Sequence, residues 1–278
     1  MLLPPLKWAG GKRRLVHLIK PMWENSGKPR LVEPFCGGIA ISLGLQPQYA
    51  LLNDINPHLI NFYRWVKNGF HFDIPIDDSD EVYYRKRNDF NKLIREGAWD
   101  TEEAAQLFYF LNKNCFNGLC RFNREGYFNV PVGKFNYEVK YPSSFDEYTN
   151  TFAKWVFSCG DFSKLEITPN DFIFADPPYD VEFRGYSKDG FGWADQELLV
   201  NWLDLHSGPV VLCNHATERI KRLYTEHQYD LIFIDEKICI TANGQRHKAN
   251  VVLACKNISC DQASPFSFLQ DQRLLVSR

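Results

Sequence analysis

No two of the eight cysteines are spaced C-x-x-C, and no histidine pair stands near them at zinc-ligand spacing. This argues against a structural zinc site and leads us to expect no metal, reduced thiols and a cytoplasmic setting. Cys213, Cys239 and Cys255 lie in apolar, strand-like runs, where cysteine behaves as a small hydrophobe. Excess charge is missing too: 32 Lys and Arg against 34 Asp and Glu give a net −2, so bulk charge offers no support for a nucleic-acid partner. Lys7 and the run Trp8 to Lys12 interrupt the apolar N-terminal stretch, so neither a signal segment nor a membrane span is expected. Internal repeats and long linkers are absent as well.

What is present fits one sizeable α/β core with a smaller lobe: 278 residues, 45% hydrophobic and 24% charged. Charge is unevenly spread. Between Met1 and Leu31 seven basic residues face one acid, Glu24, whereas Asp73 to Glu81 is strongly acidic, so a local basic face is possible. Leu31 to Phe35 predicts a buried strand running into Cys36-Gly37-Gly38 and an apolar helix from Ile39 to Leu45. A second strand over 50–52 ends at Asn53-Asp54, and Asn56-Pro57 opens an amphipathic helix. Further strands are expected at 155–158, 171–175, 209–213 and 230–235, with helices near 195–205 and 216–226. The last apolar run, 251–255, is close enough to the preceding strand to return as a hairpin, adding one antiparallel strand to a mostly parallel sheet. Between Gly69 and Asn150 the strand-helix rhythm breaks, with helices expected at 81–96 and 101–112 and a loop-like stretch from 115 to 142.

The most informative stretch is Asp171 to Tyr179, an apolar strand delivering Asp176-Pro177-Pro178-Tyr179 at its exit. Open α/β sheets hold ligands at strand exits. Two prolines fix the exit and donate no N–H, leaving a carboxylate, a bare carbonyl and a ring. Those groups suit a planar base with an exocyclic amine: Asp176 and the Pro177 carbonyl accept its two N–H groups while Tyr179 stacks. The bland alternative is a tight turn after a buried strand. Gly37-Gly38 lets a backbone approach a ligand closely, and Asp54 can accept ribose hydroxyls. Each also has an ordinary reading, as a strand-to-helix turn and a helix cap. The run Gly37 to Ser42 lacks G-x-G-x-x-G, so a nucleoside cofactor without phosphates fits better than a dinucleotide.

Taken in order, Lys7-Trp8-Ala9-Gly10-Gly11-Lys12, Glu33-Pro34-Phe35-Cys36-Gly37-Gly38, Asn53-Asp54-Ile55-Asn56, Asn117-Gly118-Leu119-Cys120-Arg121-Phe122-Asn123 and Asp176-Pro177-Pro178-Tyr179 resemble the Dam-type DNA adenine-N6 methyltransferases. The resemblance runs from Leu6 to about Cys255. It implies a Rossmann-like class I methyltransferase sheet over 1–68 and 151–260, an inserted target-recognition lobe over 69–150 and a tail over 261–278. It also implies S-adenosylmethionine as cofactor, held by Trp8, Lys12, Phe35, Gly37, Gly38, Asp54, Asp161, Phe162 and Asp176. Asp176, Pro177, Pro178 and Tyr179 would be catalytic, acting on a flipped adenine in double-stranded DNA. Lys7, Phe116, Asn117, Leu119, Arg121, Pro131 and Phe135 fall where the family contacts DNA, with GATC as the expected target.

The resemblance further implies a monomer in a bacterial or phage-infected cytoplasm. Two departures stand out: Ile39 occupies a position where the family often has a small residue, and Asn250-Val251 replaces an acidic pair beside the basic run 243–248. Three rival functions stay open on residues alone. They are methylation of cytosine N4 or of RNA adenine, a DNA-binding protein without catalysis, and, less well supported, an oxidoreductase.

Overall fold

The computed structural model describes residues 2–75, 79–134, 139, 141–180, 190–240 and 246–258, with backbone alone at 235–240 and 246–250. Phe135, the tail over 261–278, the side chain of Cys239 and, of the basic run 243–248 named above, residues 243–245 with the side chains of the rest lie outside what is described. In chain order the elements are α1 (Val16–Ser26), β1 (Arg30–Glu33), α2 (Ala40–Leu45), β2 (Tyr49–Asp54), α3 (Pro57–Lys67), α4 (Asp80–Arg95), α5 (Glu102–Asn114), α6 (Asp146–Phe152), β3 (Trp155–Cys159), β4 (Asp171–Ala175), α7 (Trp193–Asp204), β5 (Val210–His215), α8 (Glu218–Glu226), β6 (Asp230–Ile240) and β7 (Arg246–Lys256). They fall into two compact units, Met1–Arg13 with Cys36–Asp161, and Arg14–Phe35 with Phe162–Arg278. Strand order is β3-β2 in the first and β1-β4-β5-β7-β6 in the second.

In the first unit β2 and β3 run parallel, paired from Ala50↔Trp155 to Asp54↔Cys159. Asn56 caps α3, its side chain accepting from the His58 and Leu59 amides, and Pro57 takes the first helical position, where a missing N–H costs nothing. The insertion's helices pack on this frame. Phe62 of α3 and Tyr109 of α5 stack at 5.2 Å with planes 4° apart, and Phe145 meets both edge-on. Because this aromatic core is continuous, the compact units divide the chain elsewhere than at 68/69 and 150/151.

In the second unit all five residues of β4 are buried, with β1 and β5 parallel on either side. A strand covered on both faces reads as an unbroken apolar run. β7 lies antiparallel between β5 and β6, the expected hairpin return, and residues 251–255 are all buried. Two helices were not expected from sequence, α1 and α6. α1 has no side-chain N-cap and carries Pro21 inside it, so the usual start signal is missing.

His58 joins α3 to the chain at 121–128. Its ring stacks on Phe122 at 4.8 Å and meets Phe90 at 5.1 Å, and burial pushes its pKa down to about 4. The folded-state value lies below the unfolded one. The neutral ring therefore contributes stability that is fully present above pH 6.5 and lost as pH falls toward 4, on the order of 3 kcal/mol in all. Urea unfolding of the wild type and His58→Phe at pH 7 and pH 4.5 should show roughly 2 to 3 kcal/mol less acid destabilisation in the variant. Equal loss in both would remove His58 from the account.

Candidate active site

The glycine turn of the first unit is built by short local bonds. The Cys36 amide donates to the Asn53 carbonyl at 2.7 Å, and the Ile39 amide turns back to the Cys36 carbonyl at 2.8 Å. Between them Gly37 takes a φ of +43°, donates its N–H to Asp54 Oδ2 at 3.0 Å and accepts the Tyr63 hydroxyl on its carbonyl at 2.8 Å. Trp8 explains both glycines. A Cβ on Gly37 would stand 2.7 Å from Trp8 Nε1, and one on Gly38 would stand 2.8 Å from Trp8 Cβ. More than strand-to-helix geometry is at work in this turn, since the Trp8 side chain crowds out a Cβ at both positions. Next to it, fully buried Ile39 adopts a left-handed φ of 51°. A β-branched residue is strained in that region, which is where the small residue of the resemblance would sit more easily.

Asp54 ends β2 with both oxygens engaged, Oδ2 by Gly37 and Oδ1 by the Asn56 amide at 3.0 Å. Burial pushes its pKa up, against the pull of these backbone bonds. The helix cap is Asn56, so Asp54 is not spent on capping. The ends of β2 and β3 are tied by Gly160, whose amide donates to the Asp54 carbonyl at 3.2 Å and whose carbonyl accepts from Asn53 Nδ2 at 2.9 Å. Asp161 follows with its side chain exposed, and Lys12 Nζ rests on the Gly10 carbonyl at 2.6 Å. In the second unit, buried Phe162 lies 5.2 Å from Phe35 and 5.7 Å from Trp202. Two carboxylates at the carboxyl ends of adjacent parallel strands supply acceptors for hydroxyls and an amine. Such a set of acceptors fits a nucleoside cofactor without phosphates.

The second unit carries the strand exit. Asp176 leaves β4 half-buried; Pro177 is buried, and exposed Pro178 accepts Gln196 Nε2 on its carbonyl at 2.9 Å. The Tyr179 hydroxyl and Cys213 Sγ are 3.0 Å apart, and the Tyr179 ring lies 4.5 Å from that of His215. The Asp180 amide donates to Asn214 Oδ1 at 3.1 Å, while its carboxylate takes Thr217 at 3.0 Å and both arms of Arg219. Sequence reasoning named Asp176 to Tyr179 and missed this support. Asn214-His215 at the carboxyl end of β5 was the available signal, since polar residues there mirror Asp176 on β4. Gln196 lies within α7 and offered none.

Among the expected DNA contacts, the first unit brings Lys7 to the turn Phe116–Gly118. Lys7 exchanges two 2.8 Å bonds with the Asn112 side chain, Nζ reaches the Lys113 carbonyl at 2.6 Å, and a Cβ on Gly118 would come within 2.3 Å of Lys7 Cβ. Burial lowers the pKa of Lys7. Phe116 is 42% exposed, and Asn117 is exposed with φ 53°. Leu119 is half-buried and Pro131 exposed, its carbonyl holding the Phe116 amide at 2.9 Å. Arg121 is exposed and folds onto Asn129, Nε to Oδ1 at 2.8 Å. Phe122, next along, turns onto His58.

Among the described residues, acids stand at the exits of parallel strands and an antiparallel strand lies next to the edge, an open α/β sheet that holds its ligands at the strand ends. The model of the D12 class N6 adenine-specific DNA methyltransferases matches residues 8–239. Retron Ec67 DNA adenine methylase of Escherichia coli is 30% identical, over 92% of this chain and 92% of its own length. The DNA adenine methylase of Haemophilus influenzae is 33% identical over 84% and 87%, and the Type II methyltransferase M1.LlaDCHI of Lactococcus lactis is 33% identical over 81% and 85%. The chain belongs to the D12 class of N6 adenine-specific DNA methyltransferases. As in that class, S-adenosylmethionine is the methyl donor and DNA the substrate. Among the described residues no cluster of three or more His, Cys, Asp or Glu could hold a metal ion, and no helix is long and apolar enough to cross a membrane.

Proposed function

We propose that the enzyme methylates adenine N6 within GATC in duplex DNA, by flipping the base and transferring the methyl group directly. The observation that carries this is the Asp176-Pro177-Pro178-Tyr179 exit, with the Tyr179 hydroxyl on Cys213 and the Pro178 carbonyl held by Gln196. An adenine inside the stack cannot present its amine to a buried methyl group, so it must leave the duplex. Asp176 and the Pro177 carbonyl accept the two N6 hydrogens, and Tyr179 holds the ring. A nitrogen–carbon bond forms as the sulfur–methyl bond breaks, the sulfonium becomes a thioether, and the N6 proton leaves afterwards. A neutral amine attacking a sulfonium needs positioning more than a strong base, so no general base is assigned.

For the cofactor, Asp54 holds the ribose, and Asp161, with Phe162, accepts the adenine amine. Phe35, Gly37 and Gly38 line the methionine side, Trp8 and Lys12 contribute from the N-terminal segment, and Asp176 takes part here as well as in the catalytic exit. Residues 69–150 then read the target, with Phe116 and Asn117 filling the space left by the flipped base. Leu119, Pro131 and Phe135 add base contacts, Lys7 reaches one guanine, and Arg121 swings from Asn129 to the O6 and N7 of another. This reading has the chain work as a monomer in the cytoplasm of a bacterium or a phage-infected cell.

Mapping methylated positions on random-sequence duplex DNA tests the target; N6-methyladenine outside GATC would discard it. Arg121→Ala should lose on the order of 1 to 3 kcal/mol of discrimination at one base pair, read as kcat/KM on GATC against singly substituted sites. Unchanged discrimination with weakened, salt-sensitive binding would make Arg121 a phosphate contact instead.

A further inference from the structure

We infer that Gln196 and Asn214 are positioning residues for methyl transfer, forming a buried amide clamp that sets the angle of the Asp176–Tyr179 exit; the inference rests on the catalytic reading of that exit. Prolines at 177 and 178 remove two N–H groups, so more of the anchoring of the segment falls to its carbonyls, the amides that follow and its side chains. The clamp takes one of each. Gln196 Nε2 donates to the Pro178 carbonyl at 2.9 Å and Asn214 Oδ1 accepts the Asp180 amide at 3.1 Å, so Tyr179 is gripped from both sides. The two amides are joined directly, Asn214 Nδ2 to Gln196 Oε1 at 3.0 Å.

Every hydrogen-bonding group of Asn214 is used. Oδ1 also accepts the His215 amide at 2.8 Å, and Nδ2 also donates to the Tyr224 hydroxyl at 3.1 Å. That leaves one orientation for the amide, since a flip would set its NH2 against two N–H donors. Its orientation in turn fixes that of Gln196. Asn214 is 0% exposed and Gln196 2%, so water cannot substitute for a lost partner. Alternation along β5 divides the labour: Asn214 points to the clamp, while Cys213 and His215 point the other way, to the Tyr179 hydroxyl and ring.

The chain of bonds predicts a specific failure. Asn214→Asp keeps the acceptor for Asp180 but sets a carboxylate oxygen against Gln196 Oε1. Gln196 must then flip, which turns its own oxygen toward the Pro178 carbonyl and releases the exit. Gln196→Met removes the donor while keeping the length of the side chain. Single-turnover methylation of duplex DNA with S-adenosylmethionine should fall about 10- to 100-fold in both variants, the scale of a misplaced reacting group. KM for DNA and for the cofactor should stay within about twofold, because the clamp orients the nucleophile and binds neither substrate. Val200→Ala, a buried truncation on the same helix that removes neither partner of the clamp, controls for general loss of stability and should leave the transfer rate unchanged.

If Gln196→Met transfers methyl groups at the wild-type rate, or slows no more than Val200→Ala, the clamp is overturned even should Asn214→Asp fail to fold. A rise in KM with kcat unchanged would overturn it too. Asp176→Ala, assayed alongside, separates the two claims: an active Asp176→Ala enzyme sinks the catalytic reading itself, whereas an inactive one beside a fully active Gln196→Met sinks only the clamp.

Discussion

Asp176→Ala is expected to lower methyl transfer by on the order of 10²- to 10³-fold or more, the cost of removing one preorganised electrostatic partner from a reacting centre, while the protein stays folded. The carboxylate stands at the exit of β4, half-buried, and the segment is also held by Pro178 to Gln196, Tyr179 to Cys213 and Asp180 to Asn214. Alanine leaves all of these in place. A melting midpoint near that of the wild type would therefore accompany the lost activity. Transfer at the wild-type rate would remove Asp176 from the chemistry.

The second large effect is expected at the glycine turn. Gly37→Ala meets two obstacles at once, a backbone φ of +43° and a Cβ 2.7 Å from Trp8 Nε1. Either the turn leaves the left-handed region or the indole moves. The Gly37 bonds to Asp54 and Tyr63 tie the turn to β2 and α3, so it has little freedom to give. Strain and overpacking together are worth roughly 2 to 5 kcal/mol. The loss should appear as S-adenosylmethionine affinity reduced on the order of 10²-fold, read by calorimetric titration. Gly27→Ala has an open Cβ position at the end of α1 and should leave that affinity unchanged. Undiminished affinity in Gly37→Ala would separate the turn from the cofactor.

The strands were legible because burial on both faces writes itself as unbroken apolar runs. Asp171 to Ala175 and Val210 to Cys213 could be little else, and Asn56-Pro57 announced α3 by its cap. The Pro-Pro exit and the strand-end acids were legible for the same reason, as polar groups placed where an apolar run stops. The tertiary support stayed hidden. Gln196 and Asn214 each lie 18 residues from a partner in the clamp, on a helix and a strand whose pairing no local pattern records. Trp8 over Gly37 and Lys7 against Gly118 are contacts of the same kind, visible in sequence only as glycines that could equally have been turn residues. The compact units were also out of reach, because stacking of Tyr109 on Phe62 joins the insertion to α3, and periodicity shows which face of a helix is buried but not what covers it.

The most direct test is transfer of a labelled methyl group from S-adenosylmethionine to unmethylated duplex DNA, followed by nucleoside analysis of the product. The account predicts label in N6-methyladenine, with transfer lost in Asp176→Ala. Label in N4-methylcytosine, or no transfer to DNA by a folded, cofactor-binding enzyme, would contradict it.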